Sequence, residues 1–368
     1  MQKIVKQVVG IDVAQDELVV CLGKMYNDWE PELVAHKTFT NKDKGFVALM
    51  AWVSKIAVAE VPVRFVMEAT GVYHERFAYF LHEQGHEVSI VVPNKISNYA
   101  RTLNVKTVTD KTASEAIAMF GLERKLDNWS PPKGIYKKLQ QLTRERSQLL
   151  EDRTVIKNQL HAEGAEARPN KQSIARAKKR IALLDKQELE IEAELLVLMK
   201  TDDEVQKIML LICTIPGVGT LTAAIVLGET NGFELIRNKR QLTSYAGLDV
   251  REKQSGTSVK GKPCISKKGN RHLRKAMHFP ALAAIRHNEE YRTVFARLVS
   301  KHGIKMKAAV AVQRKLLEMI YTIYKTGIAF DREHFKNVQK WDQGFKSTSG
   351  DLKLYPQKIC EEALGGIS

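Results

Sequence analysis

Two rhythms of apolar residues run through the first 126 positions of the chain. VVGIDVA and ELVVCLGK are rich in β-branched and apolar residues around a polar AQD turn, and ELVAHKTFT alternates. These segments, within 6–39, predict three short strands. From 43 to 57 the period becomes helical, through Phe46, Leu49, Met50, Val53 and Ile56. VPVRFVME reads as a buried strand ending at Glu68, and VYHERFAYFLHEQG as a helix closed by Gly85 at its C′ position. HEVSIVV is a further strand, halted by Pro93, and two helices follow near 94–103 and 111–124. The predicted order is βββ-α-β-α-β-α-α.

An antiparallel meander leading into βα units is the order of a ribonuclease-H/RuvC-like α/β fold, expected over 1–126. DNWSPPKG, 127–134, reads as a linker because paired prolines cannot continue a helix. Beyond it, Ile135, Leu139, Leu142, Leu149, Ile156 and Leu160 form a heptad-like seam broken by Arg146 and Arg153. After a turn at GAEARPN, a second seam runs Ile174, Ala177, Ile181, Leu184, Ile191, Leu195 and Leu198, interrupted by Glu188. Two long helices joined by a turn predict a helical hairpin or a dimerising coiled coil over 127–200. From 201 to 328 the pattern is mostly helical, except for a Gly/Lys/Ser-rich stretch at 250–270. The tail, 329–368, has little periodicity.

Charge changes the picture. The 368-residue chain carries a formal net charge of +16. Between Arg237 and Lys315 there are 20 Lys/Arg against 4 Asp/Glu, so this one segment holds the whole excess. That is the footprint of a polyanion-binding domain. No apolar run approaches the roughly 20 residues that span a bilayer, no secretion signal opens the chain, and Cys21, Cys213, Cys264 and Cys360 suggest neither a zinc knuckle nor a disulfide framework. A cytoplasmic protein without a membrane partner is expected.

Three acids stand out. Asp12 lies inside an apolar strand, where an unpaired charge costs several kcal/mol. Glu68 ends the next core strand, and Asp110 opens a helix after TVT. In the predicted fold the first and fourth strands are neighbours and the late helix crosses their ends, so the three converge. Hard oxygen donors of this kind suit magnesium or manganese, and a pair of such ions serves phosphodiester chemistry. In the basic segment, TIPGVGTLTAAIVLGE resembles a helix-hairpin-helix, with Gly217 and Gly219 freeing backbone amides for a phosphate. The polar loop that follows offers Arg251, Lys253, Lys260, Lys262, Lys267 and Lys268 around Ser255, with Arg271 and Arg274 on the next helix as phosphate contacts. A hydroxyl there could attack phosphorus, but Thr257, Ser258 and Ser266 compete with Ser255 on composition alone.

Taken in order, GIDVAQDELVV, MEATGVYHE, VTDKTASEAIA, IPGVGTLTAAIVL, SYAGLDVREKQSGTSVKG and SKKGNRHLRKAM resemble the DEDD-type insertion-sequence transposases, relatives of the Piv/MooV invertases that include bridge-RNA-guided serine recombinases. The resemblance implies a DNA transposase or site-specific recombinase, nucleoid-associated in a bacterial cytoplasm when active. It makes Asp12, Glu68 and Asp110 metal-binding catalytic acids and Ser255, before Gly256, the nucleophile of a C-terminal transposase domain. It also implies donor and target DNA, a structured guide RNA and a homo-oligomer as partners. One position departs from the pattern. D-x-x-D would place a fourth acid at 113, where this chain has Ala113. Glu115 lies five residues from Asp110 and points roughly 140° away on an ideal helix. A water-using RuvC-like nuclease and a catalytically inactive nucleic-acid-binding regulator are the alternatives.

Overall fold

A computed structural model describes residues 3–69, 71–103, 107, 109–234, 236–252, 254–255, 259–261 and 264–331. The chain divides into two compact units, 1–132 and 133–368.

In the first unit the strands are β1 (Ile4–Val13), β2 (Glu17–Tyr26), β3 (Pro31–Thr40), β4 (Val63–Glu68) and β5 (Glu87–Val91), in the spatial order β3-β2-β1-β4-β5. The first three form an antiparallel meander, while β4 and β5 run parallel to β1. The helices are α1 (Asp43–Ile56), α2 (Glu75–Glu83), α3 (Pro93–Ala100) and α4 (Asp110–Glu123). Gly85, at φ +77°, ends the second helix as its left-handed C′ residue.

Because side chains alternate across a strand, β1 serves two layers. Val9, Ile11 and Val13 join Phe65, Met67, Phe46 and Phe77 under α1 and α2. Val8 joins Val66, Ile117 and Phe120 on the other face, under α3 and α4. Gly10 occupies the same face as Val8, and an added Cβ there would lie 2.2 Å from the Ala118 nitrogen and 2.6 Å from the Ser114 carbonyl oxygen. At Gly121 a Cβ would meet Val8 and Val66. The helix therefore rests on the strand, with Gly10 opening the way to the helix backbone and Gly121 to the valines beside it. Lys6, near the start of β1, donates to the carbonyls of Gly121 (2.6 Å), Leu122 (2.9 Å) and Arg124 (2.8 Å) at the end of α4. That satisfies orphan carbonyls and places a cation at the negative end of the helix dipole. The helix thus runs back along β1, and its first turn arrives over the strands' carboxyl ends.

The second unit opens with α5 (Gly134–Gly164) and α6 (Lys171–Met199), an antiparallel hairpin. It continues with α7 (Asp203–Cys213), α8 (Thr220–Thr230) and α9 (Lys239–Tyr245). Two short ribbons follow, β6 (Val250–Arg251) with β9 (Cys264–Ile265) and β7 (Gln254–Ser255) with β8 (Val259–Lys260). The last helices are α10 (Arg271–Ala276), α11 (His278–His287), α12 (Glu289–His302) and α13 (Lys305–Thr326). Only the base of the hairpin enters the core: Tyr136, Leu139, Leu142, Ile191 and Leu195 pack with Ile212, Leu227, Tyr291 and Leu316. Beyond residue 331 the tail lies outside the described residues.

The residues that break the two seams are partners. Arg146 reaches Glu188 (2.5 Å) and Glu192 (3.0 Å), and Arg153 reaches Glu188 (2.5 Å) and Asp185 (2.6 Å). One glutamate therefore answers both arginines and fixes the hairpin's register.

Two outcomes follow from this packing. Gly10→Ala should lower the melting temperature by several degrees or abolish soluble expression, because backbone atoms of α4 cannot move aside; an unchanged melt would contradict the close approach. Glu188→Ala should cost about 1–3 kcal/mol, since two half-buried arginines lose a charged hydrogen-bond partner; circular dichroism during thermal melting measures it, and no shift would mean that the ladder contributes nothing.

Candidate active site and basic unit

Parallel pairing of β1 with β4 sets Ile11 opposite Met67, so the next step along both strands puts Asp12 beside Glu68. Both fall on the face covered by α4, whose first residue is Asp110. That aspartate is not the helix cap. Thr109 caps the helix, accepting from the Thr112 backbone while the Thr112 side chain answers the Thr109 backbone. The Asp110 carboxyl is left for other work.

Asp12 feels both of the other acids. Burial and then the negative charges of Asp110 and Glu68 push the Asp12 carboxyl up to about 6 from its ordinary 3.8, against a hydrogen bond from the Val13 backbone that favours its charged form. A carboxylate crowded by two others inside a sheet is a donor set that a divalent cation would relieve. Among the described residues no three His, Cys, Asp or Glu side chains already enclose a metal position, so their side chains would have to turn inward to close around an ion.

Ala113 sits one turn after Asp110 and is half-buried. Glu115 does not substitute for the absent acid in this arrangement. Its Oε1 lies 2.9 Å from Nε2 of His36 on β3. That pair occupies the row of Cys21, whose thiol is pushed up to about 12 by burial and by the Glu115 charge.

In the second unit, Ser255 pairs through its backbone with Val259, and Gln254 with Lys260. Lys253 and Lys262 lie outside the described residues, as do Thr257 and Ser258. The ribbon β6–β9 is fastened at its root: the Asn270 amide donates to Tyr245 O (2.7 Å), and Ser266 Oγ to Asp249 Oδ1 (2.5 Å). Arg274 belongs to the same root, donating to the Ala246 carbonyl at 2.8 Å, whereas Arg251, Lys268 and Arg271 are exposed. Lys267 holds a left-handed backbone at φ +53°. Gly217, at φ +86°, lets the 214–219 turn approach α11, since a Cβ would lie 2.6 Å from Pro280 O; Gly219 starts α8 with open space beside it.

Sequence reasoning missed what lies beneath this loop. Glu229, only 2% exposed, accepts two hydrogen bonds from Arg144 (2.7 and 2.8 Å) and one from Asn270 (2.7 Å). Burial opposes its charge, yet those bonds and the Arg144 guanidinium hold its carboxyl below the usual range. Tyr245 donates to the Glu229 carbonyl at 3.0 Å. The signal was present in TLTAAIVLGE: an acid ending an apolar run, as with Glu68.

Comparison with known proteins fixes the class first. A transposase profile of the DEDD IS110 type matches residues 9–163, and the profile of the transposase IS116/IS110/IS902 family matches 209–296. The chain belongs to the IS110 family of transposases. It is 28% identical to the pilin gene-inverting protein of Moraxella lacunata over 89% of this chain and 98% of that one. It is 23% identical to the transposase for insertion sequence element IS1111A of Coxiella burnetii, over 86% and 89%. Thermus thermophilus RuvC aligns with 33% of this chain and 99% of its own at 11% identity and a TM-score of 0.26, too loose a likeness to bear on function. Among the described residues no helix is long and apolar enough to cross a membrane.

The raised Asp12 carboxyl gives a testable sign. Well below pH 4 it is protonated whether the chain is folded or not. As pH rises from about 4 to about 6 the unfolded chain ionises it freely and the folded chain resists, so folded stability falls and then levels off. In EDTA, Asp12→Asn should therefore melt at a higher temperature than the parent above pH 6, with the gap closing toward pH 4. Millimolar manganese should raise the parent's melting temperature and leave the variant's unchanged. A gap independent of pH, or equal stabilisation of both proteins, would remove the carboxylate crowding.

Proposed function

We propose that the chain cuts and rejoins DNA, with Asp12, Glu68 and Asp110 binding magnesium or manganese and Ser255 acting as nucleophile. The observation that carries this reading is the placement of Asp12 beside Glu68 at the crossing of β1, β4 and α4, where the charges of Asp110 and Glu68 both disfavour an ionised Asp12. A bound divalent cation would neutralise charge on a phosphodiester at that crossing. Ser255 Oγ would form a bond to phosphorus as the P–O bond of the departing strand breaks, and the serine proton would end on that strand's hydroxyl. The phosphoserine ester keeps the strand activated, so attack by another strand's hydroxyl rejoins DNA and frees the serine. Cations of the basic unit, Arg251 and Arg271 among them, would hold the flanking phosphates, with Gly219 offering backbone amides beside them. The Glu229–Arg144–Asn270 node would set the root of the serine loop. Guidance by a structured RNA and action as a homo-oligomer rest on the family resemblance.

Ala113 favours a second reading, a protein that binds nucleic acid without cutting it. The two separate in one experiment. Incubated with the DNA ends of its element, the adjoining RNA and magnesium, the parent should form a covalent protein–DNA adduct that Ser255→Ala abolishes. An adduct that survives Ser255→Ala excludes that serine. Absence of any cleavage, with manganese too, supports the binding-only reading, and recovery of cleavage in Ala113→Asp would trace the loss to the missing acid.

A further inference from the structure

The helices α10 and α11 form nearly one rod. Met277 between them keeps a helical backbone, and the ladder continues from Met277 N to Leu273 O (3.1 Å) and from Ala281 N to Met277 O (3.2 Å). One side of the rod belongs to the core through Leu273, Met277, Ala281 and Ala284. The opposite side carries Arg271, Lys275, Phe279, Leu282 and Arg286, all exposed. At 100° per residue these five fall within about 80° of arc and span roughly 22 Å. Phe279 is 77% exposed at the middle of the stripe, with cations on both sides.

The core does not need Phe279. Its orientation is nonetheless supported, because the neighbouring His278 ring stands edge-on to it at 5.5 Å and is held by Gln313 at 3.1 Å. An apolar partner surface fits the stripe poorly. Phe279 and Leu282 are its only apolar members, far short of the roughly 800 Å² per partner of a stable protein interface. Charge complementarity instead selects a polyanion, and a bare ring between cations selects one with flat faces to stack. Phosphates would meet Arg271, Lys275 and Arg286 while an unpaired base lies on Phe279. Lys275 already touches Ser147 (3.0 Å) and Glu151 (2.8 Å) in an exposed pair, which a phosphate could replace.

We infer that the exposed face of α10 and α11 is a binding track for unpaired nucleic acid, with Phe279 as the platform for one base. This rests on the reading of the chain as acting on nucleic acid and adds where an unpaired strand lies. The full chain is titrated in EDTA, where catalysis plays no part, against fluorescein-labelled single-stranded DNA, the same sequence as RNA, an abasic strand and blunt duplex DNA. Phe279→Ala should weaken binding of the base-bearing strand roughly tenfold to a hundredfold, and Phe279→Tyr should restore it. Abasic strand and duplex should bind parent and Phe279→Ala alike. The DNA or RNA arm that shows the loss identifies the strand. Arg271→Gln and Arg286→Gln should each flatten the salt dependence by about one ion. Equal binding of parent and Phe279→Ala in every arm overturns the inference and leaves the proposed function intact. A drop in oligomer mass on Phe279→Ala without a change in strand affinity also overturns it, assigning the face to a second copy. If the parent binds no strand at all, the proposed function itself fails.

Discussion

Everything in the first unit turns on a contact between two backbones. A strand residue without a side chain, Gly10, meets the helix at Ser114 and Ala118, and Gly121 completes the approach from the helix side. Interiors are packed densely enough that one extra methyl group at such a place cannot be absorbed. Because the helix lies against the strand and Lys6 holds its far end, its first turn has only one place to go. Asp110 is delivered to the strand ends where Asp12 and Glu68 already sit side by side. The grouping of acids is a by-product of a steric arrangement laid down several residues away.

That arrangement works against stability. Burial and two neighbouring negative charges disfavour the ionised form of Asp12, and the Val13 backbone hydrogen bond offsets them only in part. The fold tolerates the tension because the aromatic layer beneath α1 and α2 and the caps at both ends of α4 are independent of it. Charge is handled differently in the second unit. Glu229 is more deeply buried, but Arg144 and Asn270 satisfy its oxygens, so it serves as a fastening rather than a site of strain.

Much of the first unit could be read from period alone, since strands of alternating or uniformly apolar residues and helices with a 3.6-residue repeat leave little freedom in assignment. Asp12 was legible because charge inside an apolar strand is anomalous. Glu229 carried the same anomaly at the end of a helix and passed unremarked, its meaning depending on an arginine 85 positions earlier in the chain. The arginines and the glutamate that interrupt the hairpin seams looked like flaws when each helix was read separately. They make sense only when the helices are laid antiparallel, which no local pattern encodes. Phe279 was equally hidden, since an aromatic in an apolar-rich helix is usually core, and its exposure depends on which side the rod presents to its neighbours.

The Arg146–Glu188–Arg153 ladder has a mechanical consequence. A seam of leucines and isoleucines can slip by a heptad at modest cost, because one apolar contact resembles the next. A glutamate gripped from above and below has no equivalent position one repeat away. The hairpin is thereby a gauge rod: about 45 Å long at 1.5 Å per residue, unable to telescope, with its tip at a constant reach from its base.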